Sequence, residues 1–154
     1  MKETERIAKL FDDLHQGHPW IDITVMDTLK SLTAEQAAVK IKAGWNSIWE
    51  ILNHQIEWRL TVLQRIEGQV INSPRNNFFF PIDDSSTSAW QRTLELYAET
   101  QDQWRKYIRN LSSENLNIIP DAKPFTRYEL IHGILQHDAY HLGQIRLLAK
   151  WVTG

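Results

Sequence analysis

The chain has 154 residues and a formal net charge of -2, with acids and bases mixed along its length; this size suits a single domain, 1–154, with a complete core of its own. It carries neither a basic stripe for nucleic acid nor a polybasic arm for a membrane surface, so neither partner is expected. Because cysteine is absent, disulfides, zinc–thiolate sites and a cysteine nucleophile are excluded, and any metal site must use nitrogen and oxygen.

No apolar run reaches the roughly 18 residues of a membrane span. The first residues include the charged Lys2, Glu3, Glu5 and Arg6 in place of a secretory hydrophobic region. The expectation is a soluble, cytoplasmic protein. Seven tryptophans, several at helical spacing, read mainly as wide side chains that fill the space between helices.

In chain order, Ile7, Leu10, Phe11 and Leu14 follow the i, i+3, i+4, i+7 pattern of an amphipathic helix, and Gly17 stands where a C-terminal cap is expected. From His18-Pro19-Trp20 to Leu32 no period is evident. Thr33 and Gln36 then form a capping box for a short helix near Ala34 to Val39. A second box, Ser47-Ile48-Trp49-Glu50, opens a long helix that runs to Glu67 before Gly68. Its apolar arc centres on Trp45, Ile48, Trp49, Leu52, Ile56, Leu60 and Leu63. Ile51 and Trp58 widen that arc on one side, and His54 sits between them at the border of the buried face.

Gln69 to Asp84 contains Pro74, Asn76-Asn77 and Phe78-Phe79-Phe80-Pro81, the composition of an ordered loop. Three consecutive phenylalanines need cover, either over a neighbouring groove or against a subunit partner. A third long helix starts near Ser85 to Ser88, with the seam Trp90, Leu94, Tyr97, Trp104, Ile108 and Leu111. Gln101 interrupts the seam; a hydrogen bond to a neighbouring helix is its expected role, and a polar cavity the alternative. After a loop with Pro120 and Pro124, Thr126-Arg127-Tyr128-Glu129 opens a last amphipathic helix. Four principal helices without a period-two run predict an all-α four-helix bundle.

On that last helix His137 and His141 are i and i+4, about 40° apart around the axis, next to Ile134, Ile145 and Leu148. Two neutral imidazoles one turn apart can converge on a divalent ion at about 2.0–2.1 Å. The alternative is a pair of core-edge histidines bonded to backbone. A third ligand would decide. His132 points about 140° away from His137 and reads as a surface residue. His15 and His18, at a helix end and in a loop, are reserves. His54 is placed to reach across a groove and leave one side of an ion open, and three histidines plus water is a composition typical of catalytic sites.

Asp138 falls near the middle of the apolar stripe, where a lone carboxylate is costly, so it must have a partner. Tying the helix to a neighbour is the expected role; orienting a ligand imidazole is the alternative. Gln144, one turn after His141, either touches a water on the ion or satisfies a backbone carbonyl. Glu57 and Tyr140 point away from their helix stripes and are weaker candidates for acid–base work.

The string Gly133-Ile134-Leu135-Gln136-His137-Asp138-Ala139-Tyr140-His141-Leu142-Gly143-Gln144-Ile145, with Ser47-Ile48-Trp49-Glu50-Ile51-Leu52-Asn53-His54 upstream, resembles the DinB/YfiT-like superfamily. His18-Pro19-Trp20 and the stretch Trp58 to Gly68 resemble one branch of it. The resemblance implies a four-helix bundle that commonly forms homodimers and holds a divalent metal, often nickel or zinc, on three histidines. Carried over by position, these are His54, His137 and His141. It further implies a small-molecule substrate. Some relatives transfer a low-molecular-weight thiol to an electrophile, some are thiol-dependent isomerases, and others are named only as hydrolases. A thiol would have to be a co-substrate here, because the chain has none of its own. The competing expectations are a hydrolase that uses water on the metal and a non-catalytic, metal-stabilised dimeric bundle.

Overall fold

The computed structural model describes residues 1–120 and 124–154. It is all-helical, and no strand occurs among the described residues. Four long helices, α1 (Glu3–Gln16), α4 (Ile48–Ile66), α5 (Thr87–Asn110) and α6 (Arg127–Val152), are supplemented by two one-turn helices, α2 (Val25–Leu29) and α3 (Ala34–Ala38). A 3-10 turn, Glu114–Asn117, precedes α6. Helix α1 packs on α5, and α4 packs on both α5 and α6.

Three of the four long helices, α4, α5 and α6, begin where a side chain replaces the missing acceptor of the first turn. Ser47 Oγ accepts from the Glu50 N–H (3.1 Å), Ser86 Oγ from Ala89 (3.2 Å) and Thr126 Oγ1 from Glu129 (3.2 Å). The Glu50 and Glu129 carboxylates return to the N–H groups of Ser47 (2.8 Å) and Thr126 (2.7 Å), completing two of the boxes read from the sequence. Helix α2 lies in the stretch without a period: five residues capped by Thr24 are too few to show one, although Val25, Thr28 and Leu29 are buried.

Three positions differ from the sequence reading. Trp45 is outside α4, before its Ser47 cap, and 48% exposed rather than central to the buried arc; helical spacing does not extend beyond the cap. Leu10 is 46% exposed, and Thr4 and Ala8 fill the α1 face instead. His132 is half-buried, with its ring 4.2 Å from that of Tyr128, so it is not a free surface residue.

The core is divided in two. One apolar cluster joins Leu29, Trp49, Leu52, Trp90, Tyr97, Leu142 and Ile145; the other joins Ile7, Phe11, Val62, Ile66, Trp104, Ile108, Ile131 and Ile134. On each of α4, α5 and α6 the residue between the two clusters is polar and buried: Arg59, Thr100 with Gln101, and Asp138. Arg59 donates from Nε (2.9 Å) and Nη2 (2.7 Å) to Asp138 Oδ2, from Nη1 to Thr100 Oγ1 (3.2 Å) and from Nη2 to Gln101 Oε1 (3.2 Å). Gln55 Nε2 donates to the other Asp138 oxygen (3.2 Å), and Gln101 Nε2 carries the network to Asp12 on α1 (3.2 Å). The Tyr97 ring lies 4.3 Å from the guanidinium. Burial works against the charge on Arg59, but the adjacent Asp138 more than restores it and holds the group above its ordinary value. Asp138 therefore ties α6 to α4, and Gln101 bonds to neighbouring helices.

Both charges are almost completely out of water, so removing one partner strands the other. Asp138→Ala is expected to lower the free energy of unfolding by about 3–5 kcal/mol in guanidinium denaturation. The double variant Arg59→Met/Asp138→Leu, which leaves no orphaned charge, should lose less than Asp138→Ala alone.

Candidate metal centre

His54 directly precedes Gln55 and stands five residues before Arg59, the two α4 side chains that engage Asp138, and His137 and His141 flank Asp138 on α6. The polar layer thus sets the register that brings the three rings together. His54 Nε2 lies 3.0 Å from His137 Nε2, and His141 Nε2 lies 3.1 Å from the same atom. The three ligand-capable atoms are all within 4.8 Å of one another. Ligands about 2.0–2.1 Å from a common ion stand about 2.9 Å apart in cis octahedral positions and about 3.4 Å apart in a tetrahedron. The two short edges fall inside that range.

The hydrogens on two rings are fixed from behind. His54 Nδ1 donates to the Asn77 carbonyl (2.6 Å), so its Nε2 presents a lone pair. His141 Nδ1 donates to Gln144 Oε1 (2.7 Å), whose amide nitrogen donates to the Tyr140 hydroxyl (3.0 Å), so His141 Nε2 also presents a lone pair. Two lone pairs aimed at a third ring nitrogen need a positive partner between them. An N–H on His137 Nε2 or a divalent cation would meet that need. His137 Nδ1 is buried with no hydrogen-bond partner among the described residues. The donor set fits a divalent metal bound by nitrogen.

The loop between α4 and α5 builds the back of the site. Asn77 and Phe78 have consecutive φ values of 52° and 62°, left-handed conformations that bulky side chains rarely adopt. The turn is held by Asn77 N–H to Pro74 O (3.0 Å), Phe79 N–H to Asn76 O (3.0 Å) and Trp58 Nε1–H to Asn77 Oδ1 (3.1 Å). It directs the Asn77 carbonyl at His54 and stacks the Phe79 ring on the imidazole, centroids 4.0 Å apart and planes at 7°. Phe78 meets Trp58 edge-on at 5.5 Å. The phenylalanine run thus covers a groove of its own chain, while Phe80 stays 47% exposed.

The open side of the three rings faces a cavity of about 660 Å³, walled by Trp45, Ile51, Phe79, Tyr140, Leu147 and Leu148. Gln144, three residues from His141, reaches that ring's Nδ1 with its side chain, the place of a residue that orients the imidazole from behind. Tyr140, read as a weaker candidate, lines the cavity. Glu57 does not line it. His15 stacks on Tyr97 (5.8 Å) and His18 is exposed, so neither joins the cluster. Asp138 bonds to Arg59 and Gln55 rather than to an imidazole.

A family model described as the DinB superfamily matches residues 24–145. The chain belongs to the DinB superfamily. Neither a curated protein nor a solved structure matches it. The matched stretch of this DinB-superfamily chain includes all three clustered histidines, Arg59 and Asp138.

Burial lowers His54 to about 4, against the pull of the Asn77 hydrogen bond, and lowers His137 to about 3, reinforced by His141 and His54. Burial also lowers His141. The rings are therefore neutral, as metal ligands must be, well below neutral pH. The unfolded chain takes up protons at these histidines below about 6.5, whereas the folded one resists until about 4 and 3. Their contribution to stability is present above about pH 6.5 and is lost as pH falls through the folded values. Chelator-treated protein should show a denaturation midpoint that drops steeply over this window. His137→Gln should flatten the drop.

Proposed function

We propose that this DinB-superfamily chain is a metal-dependent enzyme that transfers a low-molecular-weight thiol to an electrophilic small molecule, using a nickel or zinc ion held by His54, His137 and His141. The observation that carries this reading is the convergence of the three Nε2 atoms at the floor of an open cavity. A divalent ion at such a place lowers the pKa of a thiol or water that reaches its free position, supplying a nucleophile near neutral pH.

The remaining work falls to the protein. The Asn77 carbonyl and the Gln144 amide hold two imidazoles in the tautomer that directs lone pairs at the ion. Phe79 covers one face of His54 and keeps water from that ring. The Tyr140 hydroxyl accepts from Gln144, so its own O–H is free to donate to an electrophile in the cavity. Over the reaction an S–C bond forms, the thiol proton passes to solvent, and the leaving group departs with its bonding pair.

Transfer is favoured over hydrolysis because no Asp or Glu is among the residues lining the cavity. A thiol brings its own ionisable group, whereas ester or amide cleavage gains from an acid that protonates the leaving group. Against a purely structural metal stands the open fourth side, since structural zinc sites usually close with four protein ligands.

Metal analysis of protein purified without a histidine tag should show about one divalent ion per chain. His54→Ala should bind it at least tenfold more weakly while remaining folded. Retention of the ion at wild-type affinity would remove His54 from the site. In the same preparation, thiol consumption with a model electrophile should exceed acid release from esters and amides; the reverse result would favour the hydrolase.

A further inference from the structure

The cavity over the three histidines is open and apolar-walled, and among the described residues no charged side chain lines it. Its residues are aromatic (Trp45, Phe79, Tyr140), aliphatic, neutral amides, a glycine and the histidines themselves. Lys42 comes near but stays outside: its Nζ lies 5.8 Å from the Trp45 ring centroid and it is not part of the lining. Asp138, the carboxylate nearest in sequence to the ligands, is fully buried behind them and saturated by Arg59 and Gln55.

Three of the wall residues offer exposed surface to a ligand. Trp45 is 48%, Leu147 56% and Tyr140 64% exposed. Trp45 owes its position to Gly44, whose φ of +80° closes the turn in which the Trp45 N–H donates to Lys42 O (3.0 Å). Leu147 and Tyr140 lie two turns apart on one face of α6. They stand around the mouth while the histidines form the floor. A cavity of about 660 Å³ has the size of a small-molecule site.

From this lining we infer the substrate class: an uncharged organic molecule with an aromatic or branched apolar body and one polar group that reaches the metal. The inference rests on the metal-site reading above. The apolar body covers the exposed Trp45 and Leu147 side chains and lies against Phe79, and the neutral amides and the Tyr140 hydroxyl meet its polar edge. A substrate with a fixed charge on its body finds no counter-charge in the wall and loses its hydration without compensation. The same argument limits the thiol: any charged part must project out of the cavity mouth.

The test is calorimetric titration of zinc-loaded full-length protein, its zinc content verified, with four hydroxamic acids. Acetohydroxamic acid carries only the metal-binding head, and benzohydroxamic acid adds a neutral ring. The 4-carboxy and 4-trimethylammonium derivatives add a charge of either sign. Benzohydroxamic acid should bind about tenfold or more tightly than acetohydroxamic acid, and both charged derivatives should lose most of that gain. Trp45→Ala and Leu147→Ala, substitutions outside the core, should each narrow the gap between the first two compounds several-fold. Equal binding of the neutral and charged rings, or no advantage for the ring, would overturn the substrate class while leaving the metal site standing. Failure of acetohydroxamic acid itself to bind would overturn the open metal site, and the substrate class with it.

Discussion

The ion pair between Arg59 and Asp138 is the constraint on which the rest of this structure depends. Burying two charges costs several kcal/mol per ion unless their hydrogen-bonding capacity is filled, and here it is filled from three helices at once. An apolar core tolerates sliding, because one aliphatic contact resembles another. A guanidinium that must meet a carboxylate, a hydroxyl and an amide does not. Displacing α4 by one residue relative to α6 means about 1.5 Å of rise and 100° of rotation, enough to break the pair and to turn His54 away from His137.

This ties stability and the geometry of the imidazole cluster to the same layer. Asp138 lies between His137 and His141 in sequence, about 60–100° round the helix from them, and bonds inward to Arg59 while the histidines face the cavity. Helix α6 thus presents, within one turn, a fastening side and a side that carries two histidines to the cavity. The second fastening comes from the loop between α4 and α5, where two left-handed residues bring a carbonyl to His54 and a phenyl ring over it. Such conformations cost about 1–3 kcal/mol each and persist where surrounding contacts enforce them. The Trp58 indole, bonded to Asn77 and packed on Phe78, is that enforcement.

Much of the helical framework is written in the sequence because it depends on local rules. The boxes at Thr33, Ser47 and Thr126 are visible as Ser or Thr followed by Glu or Gln, and the structure completes all three. The pair His137 and His141 is equally legible, since i, i+4 spacing on a helix is geometry. His54 emerges less sharply, from its place at the edge of an apolar arc. Arg59 was missed as the partner of Asp138: the sequence says that a buried carboxylate needs a cation, but the choice among 17 lysines and arginines is a tertiary matter. Helix α2 is too short to show a period. Trp45 misled because an apolar residue just before a cap falls on the extended wheel while the chain has already turned away.

The acceptor that orients His54 belongs to the backbone of Asn77, not to its side chain. Every residue type owns a carbonyl, so replacing that side chain cannot delete the group, and a scan that truncates side chains one by one would pass over it. What matters there is the path of the chain. Lengthening or shortening the connection between α4 and α5 withdraws the carbonyl without touching any histidine. Variation in the length of this connection, more than substitution within it, is therefore the route by which such a protein could retune its imidazole cluster while the helices stay unaltered.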